Sequence, residues 1–236
     1  MTPETLSAVA EATWPPHAAQ VVGPWLIREG RGGGQRVSAA SAMGAWREGD
    51  IPQAEEAMRA LGQAPLFVIR AGESALDAAL AARGYGLHDP VVAYAAPVAE
   101  LAAVEPPFLT SFPHWPPLAV ARQLWAEGGI GPARVAVMDR VAGHKTCILG
   151  RAGDRAAGAA FVALHGPVAM LHALEVSPAL RRNGCGHNIL RAAAGWARDH
   201  GAETLALLVT ERNLAARGLY AFLNMQVVGQ YHYRQM

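Results

Sequence analysis

The residues best suited to chemistry run from Leu171 to Gly186, Leu-His-Ala-Leu-Glu-Val-Ser-Pro-Ala-Leu-Arg-Arg-Asn-Gly-Cys-Gly. The apolar run up to Val176 reads as a strand, Pro178 interrupts it, and helical spacing begins after Gly186. A helix start leaves several backbone N–H groups without partners, and glycines let an anion approach them closely. Arg181 and Arg182 add positive charge where the helix dipole already favours anions. Such a loop can cradle a pyrophosphate; taken alone, it is equally a capped helix start with surface arginines.

A second segment strengthens the first reading. Asn213-Leu214-Ala215-Ala216-Arg217-Gly218-Leu219-Tyr220 follows, with a helix and a strand between the two. Arg181-Arg182-Asn183-Gly184-Cys185-Gly186 resembles the Arg/Gln-x-x-Gly-x-Gly/Ala signature of the GNAT superfamily of N-acetyltransferases. Val176 and Pro178 stand where that family usually has Val-x-Pro, and the second segment resembles its Asn-x-x-Ala-x-x-Leu-Tyr motif.

The resemblance implies an acetyl-CoA-dependent N-acetyltransferase that acts on the primary amine of a small molecule, an amino acid or a peptide. It implies that residues 181–188 (Arg181, Arg182, Asn183, Gly184, Cys185, Gly186, His187, Asn188) wrap the diphosphate, with Cys185 only an intervening position. It implies further that the strand splays near Leu174, Glu175 and Val176 and offers backbone N–H groups to the thioester carbonyl and the pantetheine amides. Donors held ready for a developing oxyanion lower the barrier to acyl transfer. Tyr220 corresponds to the family's tyrosine beside the departing sulfur, a general acid. Asn213 bonds the pantetheine arm or caps its helix.

Two residues are candidates for the general base. Leu171-His172-Ala173-Leu174 resembles a stretch of serotonin N-acetyltransferases, in which two histidines relay the amine proton. His172 matches the second, and Met170 stands at the first. An imidazole titrates near neutrality and suits the task. Alternation along a strand puts Met170, His172 and Leu174 on one face and Glu175 on the other, unless a bulge re-aims Glu175.

Composition limits the alternatives. The chain has 236 residues, about half of them hydrophobic, and a formal net charge of +1. That balance gives a filled core and no bulk charge for nucleic acid. Lys145 is the only lysine. Two cysteines, Cys147 and Cys185, make no disulfide framework and suit a reducing, cytoplasmic setting. The N-terminus has no basic-then-apolar leader, and no stretch reaches transmembrane length, so no membrane partner is expected. No metal-ligand spacing such as His-Glu-x-x-His occurs, nor a Gly-x-Ser-x-Gly elbow. Oligomeric state is open, a homodimer among the candidates.

The predicted elements give an α/β (α+β) fold: a mixed, mostly antiparallel twisted sheet flanked by helices, the GNAT fold in the terms of the resemblance. Glu105-Pro106-Pro107 marks a boundary between residues 1–104 and 105–236. The first part predicts a helix to Thr13, a hairpin of Pro24–Glu29 and Gln35–Ala42 around Gly30-Arg31-Gly32-Gly33-Gly34, then helix, strand, helix and a strand at Val91–Ala96. That order resembles a degenerate GNAT-like half that packs on, or completes, the acetyl-CoA-binding half. In the second part Ile189, Leu190, Ala193, Trp196 and Ala197 make the buried stripe of a helix. Val227–Arg234 is a last strand with Tyr231 and Tyr233 on one face.

A different class of protein keeps the same fold: a non-catalytic acyl-CoA-binding regulator, since Asn224-Met225 replace the Gly-Phe usual after the tyrosine helix. A dinucleotide-binding oxidoreductase fits poorly. Gly184-Cys185-Gly186 lacks the third glycine, and Ser177-Pro178 separates strand from loop.

Overall fold

The computed structural model describes residues 1–236. The chain runs α1 (Pro3–Thr13), β1 (Ala18–Val22), β2 (Trp25–Glu29), β3 (Ser41–Ala42), α2 (Ile51–Ala60), β4 (Leu66–Arg70), α3 (Ser74–Ala82), β5 (Gly86–Pro97) and α4 (Val98–Leu101). It continues through β6 (Ser111–His114), α5 (Ala119–Glu127), α6 (Pro132–Arg140), β7 (Lys145–Ala152), β8 (Arg155–His165) and β9 (Val168–Val176). The last elements are α7 (Cys185–Asp199), β10 (Thr204–Thr210), α8 (Leu214–Phe222) and β11 (Gln226–Gln235).

Eight strands form one sheet in the order β4-β11-β5-β10-β9-β8-β7-β6, and β1-β2-β3 form a small sheet beside it. Only β9 and β10 run parallel within the large sheet. Strands from the two sides of Glu105-Pro106-Pro107 interleave: β5 lies between β10 and β11, and β11 lies between β4 and β5. Asp77 of α3 ties β11 in place, accepting 2.7 Å bonds from His232 Nε2 and Arg234 Nε.

Each sheet face has its own core because side chains alternate along the strands. On one face, Ile189, Leu190, Ala193 and Ala197 of α7 are fully buried against Ala160, Val162, Leu171 and Leu205. Each buried leucine or isoleucine there contributes about 1.5–3 kcal/mol. On the other face, Trp125, Val137 and Met138 of α5 and α6 cover Cys147, Phe161 and Ala163. Leu6 and Val9 of α1 cover Ala93, Met170 and Ala206. Thr2 begins α1 by accepting from Thr5 N at 3.2 Å, a side-chain N-cap.

The expected hairpin of Pro24–Glu29 with Gln35–Ala42 is corrected. β2 pairs with β1, through a turn at Gly23 and Pro24, as well as with Ser41–Ala42, the only extended part of the predicted second strand; Gln35–Val37 forms a 3-10 turn. β1 is almost wholly exposed, so it carries no buried alternation by which a sequence could announce it. The glycine loop packs on α6: a Cβ on Gly33 would lie 2.6 Å from Val137 Cγ2. β5 is also longer than Val91–Ala96, because its first half extends through Asp89 and Pro90 beside the end of β11.

Candidate functional site

The loop before α7 is built to leave amides free. A 3-10 turn at Pro178–Leu180 ends β9, and Gly184 enters the helix in the left-handed region with φ 77°. No side chain caps α7. The N–H groups of Arg182, Asn183 and Gly184 have no acceptor in the chain, and helix geometry leaves those of Cys185, Gly186 and His187 none within the helix. Asn188 is the first to close the ladder, donating to the Gly184 carbonyl at 3.0 Å.

The side chains divide the work. Arg181 turns back on β9, its Nε bonding the Val176 carbonyl and its Nη2 the Glu175 carboxylate at 3.2 Å. Arg182 is exposed and has no ion-pair partner, so it is the free cation of the two. Asn183 bonds the Leu180 carbonyl at 3.3 Å. The Cys185 side chain is core, and burial pushes its thiol up to about 11, which removes it as a nucleophile at neutral pH. Gly186 is tight for a different reason from Gly184: a Cβ there would meet Leu219 of α8 at 3.1 Å. His187 lies edge-on to Phe222 with its Nε2 buried and unpartnered.

Beside the loop, β9 parts from β10. Their pairing ends at Leu171 and Leu207, whereas β9 stays paired with β8 as far as Val176 and Gly158. From His172 to Val176 one edge of β9 therefore has no strand beside it. A bulge sits there, with Ala173 at φ 52° and its carbonyl held by Trp125 Nε1 at 2.8 Å. The extra residue changes the facing expected from simple alternation. Leu174 and Val176 pack on the α7 side, and Glu175 shares the α5–α6 side with His172, opposite Ala159 and Phe161. Gly128 makes room for Glu175, since a Cβ there would lie 2.5 Å from Glu175 Cγ.

His172 has both ring nitrogens engaged. Arg36 Nη1 donates to Nδ1 at 2.9 Å, because a guanidinium has only donors, so Nε2 carries the proton and donates to Thr13 Oγ1 at 2.9 Å. The Thr13 hydroxyl passes its own proton to the Val9 carbonyl at 2.7 Å. Burial, with Arg36 nearby, holds the imidazole pKa well below its ordinary value. The unfolded chain then binds a proton that the folded one refuses, so this contribution is complete above pH ~6.5 and is lost as pH falls. His172→Gln should flatten the acid limb of a stability-versus-pH curve measured in urea, a limb of up to about 1.4 kcal/mol per pH unit. An unchanged limb would show that His172 charges freely in the native state.

Tyr220 is buried on α8, its ring 5.5 Å from that of Tyr94 on β5, and its hydroxyl has no hydrogen-bond partner in the chain. Burial and the Tyr94 neighbour push its pKa up, so it stays protonated. Asn213 caps α8, Oδ1 accepting from Ala216 N at 3.1 Å. The Asn224-Met225 departure is absorbed locally: Asn224 takes the left-handed position, φ 56°, and Met225 is buried as an aromatic ring would be.

Where β9 and β10 part, a cavity of about 510 Å³ opens, bounded by the glycine loop, the Ala173 bulge, the end of β10 and Tyr231. Its wall includes Arg36, Arg134, Arg212 and Asp89. None of these was legible as a site residue. Arg36 and Thr13 reach His172 across 136 and 159 residues of sequence, and no local spacing encodes such contacts. Nor do His, Cys, Asp or Glu side chains gather anywhere in a group that could hold a metal ion. No helix is long and apolar enough to cross a membrane.

An uncapped helix start beside a parted pair of parallel strands, over a cavity, agrees with comparison to known proteins. The sequence model of the acetyltransferase (GNAT) family matches residues 104–225, and the chain belongs to that family. It is 25% identical over 238 residues to an uncharacterized N-acetyltransferase, YobR, of Bacillus subtilis strain 168, covering 97% of this chain and 96% of that one. Its fold is similar to a GCN5-related N-acetyltransferase from Kribbella flavida, with a TM-score of 0.71 and 15% identity over 100% of this chain and 96% of that one. It is also similar to a tandem GNAT protein from the clavulanic acid biosynthesis pathway, with a TM-score of 0.62 and 15% identity over 84% and 74% of the two chains.

Proposed function

We propose that this protein is an acetyl-CoA-dependent N-acetyltransferase that acylates the primary amine of a small molecule, amino acid or peptide by direct attack. The observation that carries the reading is the row of unpartnered amides from Arg182 to His187, beside a strand edge freed from His172 onward. Several amides converging at an uncapped helix start form an anion-binding site, and a diphosphate suits this row. The amides of Arg182, Asn183, Gly184, Cys185, Gly186 and His187 would hold it, and the backbone at Leu174, Glu175 and Val176 would hold the acyl arm. A bound acyl-CoA supplies an activated thioester carbonyl.

Three tasks then fall to the chain. Amides of the β9 edge donate to the carbonyl oxygen as it gains charge. Glu175, turned by the bulge to the α5–α6 face, takes the proton of the attacking amine. Tyr220 donates its phenolic proton to the departing sulfur. His172, with both nitrogens engaged, positions Arg36. We read residues 1–104 as a degenerate GNAT-like half and 105–236 as the acyl-CoA-binding half, with β5 and α1 completing the acceptor side. Two unpaired thiols support a cytoplasmic setting.

The test is a calorimetric titration with acetyl-CoA together with a thiol-release assay over a panel of amines. Binding with amine-dependent release is the expected result. Binding without release on any amine would favour an acyl-CoA-dependent regulator, and absence of binding would sink both.

A further inference from the structure

We propose that the acceptor is an amine that also carries a carboxylate, anchored by Arg36 and Arg134 in the cavity beside the Ala173 bulge. This rests on the acyl-transfer reading and narrows its acceptor. The charges in the wall do not balance. Asp89 is the only carboxylate among the lining residues, and it is already paired with Arg212 at 3.1 Å. Arg36 and Arg134 form no ion pair at all.

Arg36 is held from behind. Its Nη1 bonds His172 Nδ1, its guanidinium lies 6.0 Å from the Trp14 ring, and its Nε is buried without a partner. Its Nη2 makes no hydrogen bond in the chain. A neutral His172 beneath it adds no second charge to repel, and keeps the guanidinium oriented. Arg134 comes from α6 and lies against the glycine loop, 3.5 Å from where a Cβ of Gly34 would sit. The glycine at φ 102° thus gives this second guanidinium its place at the wall. Tyr231 and Tyr233 add hydroxyl groups on the far side, 3.5 Å apart.

Two uncompensated guanidiniums favour an anion and disfavour a cation. They would repel a polyamine or a lysine side chain. They would also lower the pKa of a bound ammonium, which favours the free base that acyl transfer needs. Past Arg36 and Trp14 a smaller pocket of about 90 Å³ continues between Leu6, Ala10, Val68 and Leu208, with room for a modest apolar group.

The test uses the full-length protein saturated with coenzyme A, titrated calorimetrically with a panel of α- and ω-amino acids, each against its methyl ester. At least one free acid should bind about tenfold or more tightly than its ester, the margin of a charge-assisted hydrogen bond. Arg134→Gln, which breaks no side-chain hydrogen bond or ion pair in the chain, should erase most of that preference, as should Arg36→Gln. Arg155→Gln, at the exposed start of β8, should leave it intact. Esters that bind as well as acids, no binding by any acid, or a preference that survives Arg134→Gln would each overturn the proposal. Coenzyme A is titrated first and separately, so its failure to bind would instead overturn the acyl-transfer reading.

Discussion

Tyr220→Phe should lower kcat for thiol release by about 10²–10⁴-fold, the usual worth of a positioned general acid, with little change in acetyl-CoA affinity. The phenol is buried and lacks a partner in the chain, so it is free to face a ligand atom and remains protonated at neutral pH. Phenylalanine fills the same space against Tyr94. Removing a hydroxyl that bonds nothing in the fold costs the fold about nothing, so a thermal melt of the variant should match the parent. The split between intact binding and lost turnover separates catalysis from packing. A variant with kcat within threefold of the parent would return Tyr220 to the role of a core aromatic, and a sharply lower melting temperature would show that its hydroxyl serves the structure.

Trp125→Ala should be the most destabilising single change at the site, at about 3–5 kcal/mol, the range for emptying a core of a large aromatic ring. Trp125 has no exposed surface, and it packs in the cluster that holds Phe161 and Met138. It also donates to the carbonyl of Ala173, a residue that the bulge leaves without a register partner on β8. For a domain of this size the loss corresponds to a fall in Tm of roughly 10 °C. Trp125→Phe separates the two contributions. It keeps most of the ring and strands the carbonyl, which should cost about 1–3 kcal/mol. In both variants the bulge loses its tether, so acyl transfer should suffer more than acetyl-CoA affinity, because Glu175 depends on the bulge for its facing and the loop before α7 does not. Equal loss of both would mean that the splay and the loop form one unit.

Much of the second part of the chain could be read directly. The β9–loop–α7 sequence combines an apolar run, a proline, two glycines and a 3.6-residue stripe, and each is a local signal with a local cause. The same holds for Asn213 as cap of α8. Local signals therefore placed the elements that bear the expected cofactor site. Asn224 takes the left-handed turn itself, so the departure from Gly-Phe changes only how the helix stops.

The cavity wall was hidden for a physical reason. Strand pairing depends on main-chain bonds that any residue can make, so nothing in Gly86–Pro97 announces that it lies between β10 and β11. The bulge at Ala173 depends on a tryptophan 48 residues earlier, and it alone decides that Glu175 faces with His172. Likewise Arg36 could not be recognised as a cavity cation, because its charge has meaning only beside His172, Arg134 and the one paired aspartate. Sequence determined the family, the loop and the helix that follows it, through interactions among near neighbours. Tertiary structure decided which groups line the cavity beside the Ala173 bulge and whether each is paired or free.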